Sequence, residues 1–118
     1  MTNKKSLSRY LYYNCKDIVN QDEDGNVING VRLDSEDYEK NKITVLRFKD
    51  GYLDGDVYND DGNFQMQLPA VEGINHQEYW RHNRLHRDNG LPAVISGDPA
   101  KREWWIDGVR QKAPENYT

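Results

Sequence analysis

The sequence is poor in the residues that staple or anchor a chain. A single cysteine, Cys15, excludes an internal disulfide framework and a cysteine-ligated zinc site. It reads as a small, half-buried residue. No segment approaches the roughly 20 apolar residues that span a bilayer. The opening Met1-Thr2-Asn3-Lys4-Lys5 has no apolar run of signal-peptide length behind it, so a cytoplasmic location away from any membrane is expected. Catalytic signatures are missing too: no G-x-S-x-G, no phosphate-binding loop, no dinucleotide fingerprint and no H-E-x-x-H. One cysteine, three histidines and scattered serines offer no nucleophile–base–orienter set in sequence. The expectation is a protein that is not an enzyme and carries no cofactor.

Apolar residues make up only 36% of the 118, and mean hydropathy is −1.06. Large rings offset this: three Trp, eight Tyr and two Phe each bury much area. One domain with a small aromatic core inside a charged shell follows. Its folded body is expected over 8–112, with flexible ends at 1–7 and 113–118. Charge is uneven. Residues 1–16 carry four basic groups and no acid, residues 17–63 carry thirteen acids against five bases, and 64–118 hold seven of each. An acidic middle argues against direct nucleic-acid binding, because phosphate affinity needs clustered Lys and Arg.

Glycine placement organises the chain. Seven of nine glycines follow Asp or Asn (Gly25, Gly30, Gly51, Gly55, Gly62, Gly90 and Gly108), the pairing that suits tight hairpin turns. Between them lie runs rich in β-branched and aromatic residues: Tyr10–Tyr13, Val27–Leu33, Ile43–Phe48, Tyr52–Tyr58, Phe64–Leu68, Tyr79–Arg81, Ala93–Ser96 and Glu103–Ile106. A mainly β fold (α+β at most) follows, a curved antiparallel sheet of short hairpin repeats. One short helix is expected where Asp34 or Ser35 can cap "SEDYEKNK", with acids in its first turn and lysines at its end.

An internal repeat underlies the pattern. "EYWRHNRLHR" (78–87) lies over "EWWIDGVRQK" (103–112) at a shift of 25 residues: Glu78 on Glu103, Trp80 on Trp105, Asn83 on Gly108. "RFKDGYLDG" (47–55) fits the same frame, with Phe48 on Trp80, Gly51 on Asn83 and Leu53 on Leu85. Each copy is an aromatic strand end, a turn residue three positions on, and a second strand. The stretch from Trp80 through Asn83-Arg84-Leu85-His86-Arg87-Asp88-Asn89-Gly90 to Pro92-Ala93-Val94-Ile95 resembles the repeat W-x-x-G-x-x-H-R-x-x-G-P-A-V-I, found in bacterial, phage and large-virus proteins of mostly unassigned function. "FKDGYLDGDV" (48–57) resembles the MORN-type repeat of stacked β-hairpins. The resemblance covers roughly 43–112 and implies degenerate hairpin repeats in a phage- or mobile-element-encoded protein. Asn83 stands where the repeat has Gly, Leu91 sits between Gly90 and Pro92, and Gln111-Lys112 replaces His-Arg in the last copy.

Candidate sites follow from this frame. His86-Arg87 sits where a strand ends before the next turn, so it reads as a scaffold corner bonded to backbone or to acids such as Asp88. His76, His82 and His86 are the available metal ligands, but Arg81, Arg84 and Arg87 oppose a cation there, and no metal is expected. Trp104 and Trp105 must face opposite sides of a strand. One of them, with Trp80, Arg81, Arg84, His86 and Arg87, then forms an aromatic–Arg face of hot-spot composition for a protein partner. The other reading makes the chain an acidic, nucleic-acid-mimicking inhibitor of a host nuclease or defence protein, acting through Asp22, Glu23, Asp24, Asp60 and Asp61. Either suits a monomer or a dimer. "DEDGN" (22–26) and "NDDGN" (59–63) lack the spacing of a calcium loop.

Overall fold

A computed structural model describes residues 19–37 and 42–115. Among them the regular structure is all strand. The strands are β1 (Gly30–Asp37), β2 (Lys42–Lys49), β3 (Tyr52–Leu53), β4 (Asp56–Tyr58), β5 (Phe64–Gln67), β6 (Val71–Gly73), β7 (His76–Glu78), β8 (Trp80–Arg81), β9 (Arg84–Leu85), β10 (Val94–Ser96), β11 (Lys101–Ile106) and β12 (Val109–Gln111). The main sheet runs β1-β2-β6-β7-β10-β11-β12, with β3 paired to β2. The hairpins β4–β5 and β8–β9 stand as separate two-stranded pieces. Among the described residues the strand pairings are antiparallel. The chain is thus mainly β, as its turn-punctuated, ring-bearing runs imply.

Among the described residues the expected helix is absent. Asp34–Asp37 extend β1 and Lys42 opens β2, with Asp34 opposite Thr44 and Asp37 opposite Lys42; residues 38–41 lie outside the described residues. The helical signal consisted of a cap and end charges with no apolar stripe, and so short a helix is marginal without one. Extending the β1–β2 ladder supplies backbone bonds instead. Tyr10–Tyr13, Cys15, the terminus 1–7 and residues 116–118 also lie outside the described residues.

Three two-residue hairpins carry the repeat. Asp50-Gly51 (φ 52° and 84°), His82-Asn83 (48° and 66°) and Asp107-Gly108 (51° and 82°) all take left-handed backbone at both turn positions, the signature of type I′ turns that match strand twist. Their registers coincide: Phe48 faces Leu53, Trp80 faces Leu85, and Trp105 faces Arg110. The hairpins then stack through one recurring bond. The second turn residue donates its N–H to the carbonyl that ends the preceding unit: Gly51 to Ile28 (2.9 Å), Asn83 to Leu53 (2.8 Å) and Gly108 to Leu85 (2.9 Å). Along this stack lies the core of Ile28, Leu46, Phe48, Leu53, Ala70, Val71, Trp80 and Leu85, with Val94 and Trp105 packed against it. The order of apolar positions in the repeat therefore fixes both the turns and the core.

A second repeat runs across the sheet. Leu68-Pro69-Ala70-Val71 recurs as Leu91-Pro92-Ala93-Val94. Ala70 and Ala93 are fully buried and bond alike. The Ala70 carbonyl accepts from Arg47 N–H (2.8 Å) and the Ala93 carbonyl from Tyr79 N–H (2.7 Å), while their own N–H groups donate to Glu78 and Glu103 carbonyls (2.9 and 2.8 Å). Proline fits before these strands because it needs no ladder donor there. Leu91 is therefore a repeat position, not an intrusion.

Candidate functional site

Built from its bonds upward, the His86 corner is a joint between hairpins. The residue after each stacked apolar position accepts the N–H of the next turn's first residue. Asn29 Oδ1 takes Asp50 N–H (2.7 Å), Asp54 Oδ2 takes His82 N–H (3.1 Å), and His86 Nδ1 takes Asp107 N–H (2.9 Å). The His86 Nε2 lies 2.8 Å from Asp88 Oδ1 and 2.9 Å from Arg81 Nη1. Asp88 also receives Arg81 Nη2 (3.0 Å), and Arg81 Nε reaches the buried Asp56 at 2.6 Å. The hydrogen bond from His86, with lesser help from Arg81, holds the Asp88 carboxyl below the usual range. Burial alone would lower the Arg81 pKa, but hydrogen bonds to Asp56 and then Asp88 outweigh it and the value rises. This is a closed charge network with a histidine at its rim.

The other expected binding residues are engaged in the same way. Trp80 is fully buried and donates Nε1–H to Glu78 Oε1 (2.9 Å); Trp105 repeats the bond to Glu103 Oε1 (2.9 Å). Trp104 lies on the opposite face, yet it too is buried, donating to the Gly90 carbonyl (3.0 Å). Trp105 is half-buried against the core, so neither of the adjacent tryptophans stands out as an exposed anchor. The connection 86–93 covers Trp104, which strand alternation alone does not reveal. Arg87 stacks 3.8 Å over the Tyr79 ring and donates to the Pro92 carbonyl (3.1 Å), and Arg84 pairs with Asp107 at 3.6 Å. The aromatic–Arg set is brought together, but as framework.

The histidines do not converge. His82 sits at a turn against Tyr52, ring centroids 4.4 Å apart. His76 lies between Ser96 Oγ (2.9 Å from Nδ1) and Glu78 Oε2 (2.8 Å from Nε2). The Glu78 hydrogen bond raises the His76 pKa, opposed by burial and aided by the carboxylate's charge. Among the described residues no group of three His, Cys, Asp or Glu is placed to hold a metal. The Ser96–His76–Glu78 chain has the order of a hydrolytic relay. It spans directly paired strands, since Ser96 faces His76, and its buried Glu78 also holds Trp80. The link escapes a sequence reading because His76 and Ser96 stand twenty residues apart and the strand that holds His76 carries little β signal.

The acidic residues lie on two loops of one design. Asp22 Oδ1 accepts Asp24 and Asn26 N–H groups (both 2.9 Å), and Asn59 Oδ1 accepts those of Asp61 and Asn63 (both 2.9 Å). The Asp22 and Asn59 carbonyls then take Gly25 and Gly62 N–H (3.0 and 2.9 Å). Asp22, Glu23, Asp24, Asp60 and Asp61 are all exposed, and the similar sequences 22–26 and 59–63 form similar side-chain-capped turns.

What sequence reasoning did not single out is the hairpin β4–β5. In the repeat, Leu85 and Leu91 are joined by residues 86–90, whereas the equivalent Leu53 and Leu68 are joined by 54–67. The hairpin fills the longer of the two connections. At its base, an added Cβ at Gly55 would lie 1.8 Å from the Leu68 carbonyl oxygen, so only glycine lets the two stems meet there. Its pairs Tyr58–Phe64 and Val57–Met66 leave Tyr58 51%, Phe64 47% and Met66 52% exposed. Tyr58 and Phe64 meet edge to face at 5.7 Å, with the Lys49 ammonium 5.0 Å from the first ring and the Arg81 guanidinium 5.8 Å from the second. The two rings and their flanking cations form a contact surface of mixed apolar and cationic character on one face of the hairpin, while Met66, paired with Val57, stands on the other. Comparison with protein-family models, curated proteins and solved structures finds no match to this chain.

Proposed function

We propose that the chain is a non-catalytic protein-interaction module that makes contact through the hairpin β4–β5. One contrast carries the reading. The histidines, arginines and tryptophans of the repeat bind one another or the backbone, whereas Tyr58, Phe64 and Met66 stand half exposed on the longer of the two connections. Added connection length in repeat architectures maps to one face, often the binding face. Exposed rings beside arginine have the composition of interface anchors.

The test uses the full-length chain immobilised and offered extract of the cell that natively makes it, at low and high salt. Replacing Tyr58, Phe64 and Met66 by serine is expected to abolish capture of a specific protein. Neutralising Asp22, Glu23, Asp24, Asp60 and Asp61 is expected to leave it intact. The reverse pattern, with capture lost in salt, overturns this reading in favour of the acidic inhibitor.

A further inference from the structure

We infer that Asn89 is a self-modification site, where the backbone nitrogen of Gly90 closes on the Asn89 side-chain amide and converts it to aspartate and isoaspartate. Seven glycines follow Asp or Asn. Each such pair has the groups to form a cyclic imide, with no side chain on the glycine to obstruct the approach. What separates the pairs is where each glycine N–H goes. Gly25 donates to the Asp22 carbonyl (3.0 Å), Gly51 to Ile28 (2.9 Å), Gly55 to Trp80 (3.1 Å), Gly62 to Asn59 (2.9 Å) and Gly108 to Leu85 (2.9 Å). Gly30 stands opposite Phe48 in the β1–β2 ladder, and the side-chain oxygen of Asn29 before it takes the Asp50 N–H (2.7 Å). Among the described residues the Gly90 N–H and the Asn89 amide have no partner. Both residues are exposed, and nothing lies within 4 Å of where a Cβ on Gly90 would stand.

Solvent supplies all that the reaction needs. The Gly90 nitrogen forms a bond to Asn89 Cγ, the Cγ–Nδ2 bond breaks, and the displaced proton leaves with ammonia. Water then opens the imide. Attack at the side-chain carbonyl gives aspartate, and attack at the main-chain carbonyl gives isoaspartate, in which Cβ has joined the main chain. Closing the ring turns the 89–90 peptide out of the left-handed arrangement that both residues hold (φ 66° and 71°). The bond spanning the pair, from Leu91 N–H to the Asp88 carbonyl, is long at 3.3 Å and so resists weakly. Trp104 anchors the Gly90 carbonyl (3.0 Å), which lies beyond the peptide that turns. The product alters this corner twice. It sets a carboxylate beside Asp88, which already engages His86 and Arg81, and the added main-chain carbon of isoaspartate displaces the carbonyl that Trp104 binds.

The test incubates the unaltered full chain in warm, mildly alkaline buffer made with heavy-oxygen water and maps its peptides by mass spectrometry. Residue 89 is expected to take up heavy oxygen and to show mixed aspartate and isoaspartate. Its conversion should run at least about tenfold faster than that of residue 29, where the bond to Asp50 and the strand ladder must open first. In concentrated urea the two sites should convert at like rates, because both are Asn-Gly. The Asp-Gly pairs should keep their ordinary linkage over the same interval in the folded chain. Isoaspartate at 89 should also quicken amide exchange at Leu91. Conversion at 29 or at an Asp-Gly pair ahead of 89 in the folded chain overturns the inference. So does a preference for 89 that persists in urea, or a converted chain whose Leu91 exchange is unchanged.

Discussion

Asn83 gives the stack its sharpest test. It is fully buried, sits at φ 66°, donates its N–H to the Leu53 carbonyl and accepts the Leu53 N–H on Oδ1 at 3.1 Å. The equivalent turn positions, Gly51 and Gly108, are glycine. Replacing Asn83 by alanine removes the acceptor, and leaving a buried N–H unsatisfied costs about 1–3 kcal/mol. It also places a Cβ residue without a helpful side chain in the left-handed region, about 1 kcal/mol more. Alanine should therefore cost about 2–4 kcal/mol in all. Glycine loses the same acceptor but fits the backbone, so it should fall about 1 kcal/mol short of the alanine loss. Urea unfolding followed by tryptophan fluorescence reads both, and in a domain of this size each kcal/mol lowers the melting temperature by about 3–6 °C. If alanine and glycine were equally stable, the left-handed constraint would be idle. If both matched the wild type, the hairpins would not be held together by this joint.

Two further outcomes follow from the charge networks. Arg81→Met should cost about 3–5 kcal/mol, because it strands the buried Asp56 carboxylate without its cation; adding Asp56→Asn should recover part of that loss in the same unfolding assay. His76 makes stability depend on pH. Its pKa is raised above 6.5 in the folded chain, chiefly by the Glu78 hydrogen bond, so its contribution is whole below the unfolded value and vanishes as pH climbs through the folded one. Unfolding free energies of wild type and His76→Gln should therefore separate on the acid side of that window and converge above it; a gap that widens toward alkaline pH would contradict the assigned bond.

Much of this fold is legible in the residues, and the failures have physical causes. Ile43–Phe48 announces a strand because it is β-branched and followed by Asp-Gly, whereas Val27–Leu33 is divided by Asn29-Gly30 and only its second half belongs to β1. β6 and β7 are silent because Glu72, Gly73, His76 and Gln77 have little strand propensity of their own and are held by neighbours on both sides. The turn at His82-Asn83 contains no glycine, yet the frame through Gly51 and Gly108 finds it. The second copy of Leu-Pro-Ala-Val is plain in the letters but stands at a different spacing from the tryptophan repeat. The corner role of His86 follows from its place before a turn, whereas its use of Nδ1 needs the fold. The site is less legible than the scaffold. "DVYNDDGNFQMQ" (56–67) reads as one more hairpin, and its exposure depends on how much connection the repeat requires, which only the stacked copies reveal.

The hand-off from hairpin to hairpin has a consequence for how such a chain changes length. A copied stretch running from one stacked leucine to the next brings its own donor, acceptor and left-handed corner, so whole modules can be gained or lost in frame without disturbing those on either side. A one-residue slip inside a module has no such freedom, since it turns Trp80 or Phe48 outward and breaks the succession there. At the far end the position that holds Leu53 and Leu85 in earlier modules is Arg110. There an exposed guanidinium takes the place of the apolar corner that the earlier modules offer their successors.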